Sequence, residues 1–118
     1  MMSQYRAAKV ARIWRGRVRR SQADEYEAYN YQVGVAPLKA LAVGVVTLRE
    51  DRDSYSEFVT ISYWESVAEM QAFTGGDPTE IHHLPRDAEF LIEPPPSLQI
   101  LEIRNAHGQG PAPTGAVS

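Results

Sequence analysis

Residues Tyr55–Trp64 constrain the fold more tightly than any other stretch of the chain. A period of two places Phe58, Thr60, Ser62 and Trp64 on one side and Val59, Ile61 and Tyr63 on the other. Both sides carry apolar groups, so neither suits free exposure to water, and a sheet covered on both faces is implied. The polar run Asp51-Arg52-Asp53-Ser54 supplies a turn, and residues 43–50 form the strand that precedes it, which makes a hairpin.

The rest of the chain supplies elements around that hairpin. Residues 10–18 interleave arginines with β-branched and aromatic residues at a period close to two, the pattern of a strand. Ser21 and Asp24 have the spacing of a capping box that opens a helix, on which Tyr26, Tyr29 or Asn30, Val33 and Ala36 recur; Gly34 and Pro37 predict a kink or restart. Ser66 and Glu69 form a second box, and Val67, Met70 and Phe73 line the helix it opens until Gly75-Gly76 stops it. Asp77-Pro78-Thr79-Glu80 predicts a further short helix through His82 and His83, ended by Pro85. A final strand covers residues 98–103, after the rigid Pro94-Pro95-Pro96 connector.

Strand, helix, two hairpinned strands, helix, strand is the split βαβ order: an α+β, ferredoxin-like βαββαβ fold with a four-stranded antiparallel sheet and helices on one face. The domain spans residues 10–104, between an arm at 1–9 and a Gly, Pro and Ala-rich tail at 105–118 that reads as disordered. The helix-free face is expected to carry Phe58, Trp64 and Trp14, more apolar surface than a monomer leaves in water, so a homodimer is expected to cover it.

Composition narrows the function classes. The net charge of −3 argues against nucleic acid, although seven of the twelve basic residues, Arg6, Lys9, Arg12, Arg15, Arg17, Arg19 and Arg20, precede the first acid, Asp24. The plain reading of that run is a solvated strand with charged flanks; the functional one is an anion-attracting mouth. No apolar run approaches the roughly 20 residues of a membrane span, and with no cysteine the chain has no disulfide or thiolate metal site. A cytoplasmic location fits both.

The step Ser62-Tyr63-Trp64-Glu65-Ser66, then Met70 and Phe73, then Leu84-Pro85-Arg86-Asp87 and Phe90-Leu91, resembles the antibiotic biosynthesis monooxygenase-like superfamily over residues 10–104. The resemblance implies two domains packed sheet to sheet as a dimeric α/β barrel. It also implies a cofactor-independent monooxygenase acting on a small aromatic or polycyclic substrate, which supplies the electron to dioxygen once it is deprotonated. Trp64 stands at that family's active-site tryptophan, with Arg86 near its basic residue. Thr60 replaces the family's asparagine and Met70 its tyrosine. Haem-degrading relatives of the same fold place a haem-ligating histidine nineteen residues after this tryptophan, where His83 stands, and a second tryptophan where Phe73 stands.

The candidate catalytic residues are therefore Trp64 and Arg12, and the candidate substrate-binding residues Trp14, Thr60, Ser62, Phe73, His83 and Arg86. Each has a plainer reading beside the functional one. Trp64 could simply close the core at the end of its strand. Adjacent histidines on a helix point about 100° apart, so at most one of His82 and His83 would face a pocket. Arg12 shares a strand face with Trp14 and would need Glu57, Glu102 or an anionic substrate as a partner. No cofactor or metal is expected, with haem as the alternative cofactor and a non-catalytic small-molecule-binding dimer as the alternative function.

Overall fold

The computed structural model describes residues 7–107; positions 1–6 of the expected 1–9 arm and 108–118 of the expected 105–118 tail lie outside the described residues. Its sheet is built from β1 (Val10–Arg19), β2 (Gly44–Asp51), β3 (Tyr55–Trp64) and β4 (Leu91–Glu102) in the order β2-β3-β1-β4, with every neighbouring pair antiparallel. The helices are α1 (Ala23–Asn30), α2 (Val67–Thr74) and the single turn α3 (Asp87–Phe90). This is the βαββαβ arrangement expected from the element order.

Cross-strand register fixes which residues share a face. Trp64 stands opposite Val10, Ser62 opposite Arg12, Thr60 opposite Trp14 and Phe58 opposite Gly16. The helices cover this face. Trp64 packs with Val10, Leu38, Ala42 and Met70, while Phe58 packs with Val18, Ala23, Tyr26 and Phe90, and Trp14 lies against that second cluster. The expectation that Phe58, Trp64 and Trp14 lie on the helix-free face is thus corrected. Alternation identifies two faces but not which one the helices cover. The helix-free face instead carries Ile13, Val46, Val59, Ile61, Tyr63 and Leu101, with Leu48 at 48% exposure.

Local chemistry accounts for the elements. In α2, Ser66 Oγ accepts from the Glu69 amide at 3.0 Å while Glu69 Oε1 accepts from the Glu65 amide at 2.9 Å, and Gly75 ends the helix at a φ of 80° that suits glycine. The other box does not form. Residues Arg20–Gln22 make a 3-10 turn first, and α1 starts at Ala23 with no side-chain cap. Beyond Asn30 the chain widens into a π turn, Tyr31–Val35, then tightens into a 3-10 turn, Ala36–Ala40, with Pro37 in its first turn, which is the expected restart.

Two further expectations are revised. Residues 77–83 form no helix: Asp77 Oδ1 accepts from the backbone and hydroxyl of Thr79, a local turn that competes with helix formation, and the stretch between Gly76 and Pro85 is too short to repay helix nucleation. The prolines at 94–96 lie inside β4 rather than before it. They are tolerated because β4 is an edge strand and because the β1–β4 register shifts between Arg15 and Arg17, leaving them unpaired.

Candidate functional site

A cavity of about 260 Å³ lies between the sheet and the helices. Arg12 and Trp14 of β1 and Thr60 of β3 form its floor; Tyr26, Asn30, Gly34, Val35 and Leu38 line it from α1 and the turns that follow. Phe73 and Thr74 close it from the end of α2, and His82, Leu84 and Asp87 from the connection into α3.

Two glycines make this shape possible. A Cβ on Gly16 would stand 2.6 Å from Cη2 of Trp14, so only glycine lets the indole lie back along the strand. A Cβ on Gly34 would meet Asn30 Oδ1 at 2.9 Å and Leu84 Cδ1 at 3.1 Å, so the π turn and the 84 loop approach closely only without one.

The polar groups of the cavity are left in need of partners. Among the described residues, four buried side-chain oxygens have no hydrogen-bond partner, and three of them, Thr60 Oγ1, Thr74 Oγ1 and Asp87 Oδ1, belong to residues that line this cavity. Buried polar atoms are nearly always satisfied, so such a concentration marks a place where something else completes them. Arg12 donates from Nε to the Pro78 carbonyl at 3.2 Å and from Nη2 to the Glu80 carbonyl at 3.3 Å. No ion pair joins it to a carboxylate among the described residues, and burial pulls its pKa down from the usual guanidinium value. Glu57 is not its partner, because Glu57 stands opposite Arg17 on the other face. Among the described residues the positive charge is held by carbonyl dipoles, an arrangement suited to an anion.

Burial also acts on the two acids of the site. It pushes the Tyr26 phenol well above its ordinary value, with the nearby Asp87 carboxylate adding to the effect and Tyr29 after it. Burial raises Asp87 too, against the Leu84 amide and the His83 imidazole, which pull the other way.

The sequence matches no protein-family profile and no curated protein. Solved structures do match. A Bacillus cereus protein described as a putative antibiotic biosynthesis monooxygenase superposes with a TM-score of 0.61 at 10% identity, covering 86% of this chain and 99% of its own. A Nitrosomonas europaea protein of unknown function superposes with a TM-score of 0.58 at 18% identity, covering 87% and 96%. The chain shares its fold with both structures. At these identities the likeness is one of architecture, and chemistry has to come from the residues of the cavity.

Within this fold the predicted site residues separate. Arg12, Trp14, Thr60 and Phe73 come together in the cavity. Trp64 and Ser62 lie just behind it: the indole N–H of Trp64 donates to Ser62 Oγ at 2.9 Å, and the Trp64 ring stacks at 5.7 Å on Phe73, which does line the cavity. His83 faces away, with its side chain 61% exposed and Nδ1 3.9 Å from Asp87 Oδ2, while its neighbour His82 lines the cavity. Arg86 lies outside as well, joined to Glu25 and Glu89 and spread over the rings of Tyr29 and Phe90. Sequence reasoning did not single out Asn30, His82 or Asp87 as site residues. Asp87 stands in the Pro85-Arg86-Asp87 motif, but an acid at a helix start reads first as an exposed cap.

Proposed function

We propose that the cavity binds a small hydroxylated aromatic molecule and that the protein oxidises it with dioxygen, without a cofactor of its own. The observation that carries this reading is the joint presence in one cavity of the Trp14 and Phe73 rings, three unpartnered polar oxygens and a guanidinium that no carboxylate among the described residues pairs with. The rings sandwich a flat apolar body, the oxygens hold its polar edge, and Arg12 stabilises the anion left when the molecule loses a proton. That anion passes an electron to dioxygen and the radical pair combines into a hydroperoxide on a ring carbon; loss of that carbon's hydrogen then breaks the O–O bond, so that one oxygen atom stays as a quinone carbonyl, the other leaves as water, and the substrate supplies all the electrons.

The size of the cavity favours one or two rings, since it falls below the roughly 300–1,000 Å³ of common ligand pockets. The same size, with His83 turned outward, argues against haem. Trp64 then acts as a positioning residue, through its contact with Phe73.

A second copy of the chain is proposed to cover the helix-free face, because Ile13, Val46, Leu48, Val59, Ile61 and Leu101 form a continuous apolar surface with no helix over it. A cytoplasmic setting is part of the proposal; no helix among the described residues is long and apolar enough to cross a membrane.

Oxygen uptake by the purified protein, with benzene and naphthalene diols as substrates and no added cofactor, tests the reading. Protein-dependent uptake with product formed in proportion supports it. Binding of the same diols without uptake would leave a non-catalytic binding dimer in its place.

A further inference from the structure

We propose that Asp87 selects the ligand and takes its proton: the free carboxylate oxygen Oδ1 accepts a hydrogen bond from an aromatic hydroxyl and then the proton itself. This rests on the reading of the cavity as the substrate site and adds to it the residue that decides which aromatic molecules enter.

Asp87 is 4% exposed, yet only one of its oxygens is engaged. Oδ2 accepts from the Leu84 amide at 2.8 Å and stands 3.9 Å from His83 Nδ1; Oδ1 has no partner. A carboxylate has about four lone-pair directions to satisfy, and one left without a donor in a buried place destabilises the fold. A ligand that brings an O–H removes that cost, whereas one that presents only acceptors, such as an ether, adds to it.

The rest of the cavity narrows the donor further. An ammonium ligand would meet the uncompensated guanidinium of Arg12 in the same space, so a neutral hydroxyl that can become an anion fits better. In the proton transfer the ligand O–H bond breaks, the proton binds Oδ1, and the electron pair stays on the ligand oxygen. Negative charge moves from the carboxylate onto the ligand, and no other reactant is needed.

The charged and titratable groups around Asp87 are His83 beside it, Tyr26 from α1, and His82 and Arg12 in the cavity wall. Burial outweighs the pull of His83 and raises the Asp87 pKa, which brings it closer to that of a substrate hydroxyl and makes it a better base.

The plain alternative is that Asp87 only braces its loop through Leu84. Asp87→Asn separates the two, because an asparagine oxygen still accepts from the Leu84 amide. The probes are a naphthalenediol and its dimethyl ether, titrated calorimetrically into the full chain. The wild type is expected to prefer the diol by about tenfold or more, and Asp87→Asn, whose amide N–H2 takes the place of Oδ1 and donates, to lose that preference by binding the diol more weakly and the ether more tightly than the wild type does. Its melting temperature at neutral pH stays the same or rises.

A lower melting temperature with an unchanged diol preference would overturn the assignment in favour of the bracing role. Equal binding of diol and ether by the wild type would overturn the Asp87 assignment alone. Binding of neither would overturn the cavity reading together with it. A measurement on the wild type needs no variant: the diol preference should fall as pH drops through the raised Asp87 pKa, and a preference that stays constant while the protein remains folded counts against the assignment.

Discussion

Trp64 donates its indole N–H to the hydroxyl of Ser62, two residues back on the same strand, at 2.9 Å. Both side chains are buried, at 1% and 2% exposure, so each satisfies the other and neither reaches into the cavity. A tryptophan that looks catalytic in the sequence is thereby a wall of the core that holds Phe73 in place.

Trp64→Phe follows directly from this pairing. It removes ring volume and leaves the Ser62 hydroxyl buried without a partner, so it should lower stability by about 1–3 kcal/mol in chemical denaturation. Diol affinity should change only a few-fold, since Trp64 does not line the cavity. Loss of binding with unchanged stability would place Trp64 in contact with the ligand.

Gly16→Ala tests the floor of the cavity. Its methyl would stand 2.6 and 2.8 Å from two atoms of the Trp14 ring, and 3.2 Å from Leu91, so the indole has to swing into the cavity. The expected result is an overpacking cost of about 1–3 kcal/mol and weaker ligand binding. A variant that binds as the wild type does would mean that Trp14 has room elsewhere.

Ile61→Asp tests the helix-free face. Ile61 lies between Ile13 and Val46 at its centre. The wild type is expected to sediment as a dimer and Ile61→Asp as a folded monomer. A wild type with the mass of one chain at micromolar concentration contradicts the proposed partner.

Two carboxylates should give the stability profile opposite slopes. The Asp51 carboxyl is held below its usual value first by the Ser56 hydroxyl at 2.6 Å and then by Arg49 at 2.7 Å. Its folded-state pKa is therefore depressed, so its contribution is complete above the unfolded value near pH 4 and is lost as pH falls through the folded value. For Asp87 the folded-state pKa is raised, so stability falls as pH climbs through it. In thermal melts across pH, Asp51→Asn should flatten the acid limb. Asp87→Asn should make no difference below the unfolded carboxyl value and should help increasingly as pH climbs from there to the raised folded value.

Much of this fold is legible in the sequence because its signals are local. The Tyr55–Trp64 alternation, the Asp51 to Ser54 turn and the Ser66/Glu69 box depend on neighbours a few residues apart, and each forms as read. The signals that fail are those that tertiary contacts override. The Ser21 box yields to a 3-10 turn, and in the 77–83 stretch the Pro78 and Glu80 carbonyls serve Arg12, more than sixty residues earlier in the chain. Arg12, Trp14 and Thr60 were readable as one face because register follows from alternation. Asp87 was not, since nothing in its neighbourhood tells the sequence reader that one of its oxygens is buried and left without a partner.

On the proposed reading, Arg12 stabilises an anion formed from an aromatic substrate in the cavity. Oxygen uptake with a naphthalenediol, compared between the wild type and Arg12→Gln at matched folded concentration, tests it most directly. Cofactor-free uptake by the wild type is expected, with a fall in kcat of about a hundredfold or more in the variant, the usual effect of losing a charge-stabilising group. Equal rates for the two proteins, or no uptake by the wild type, would contradict it.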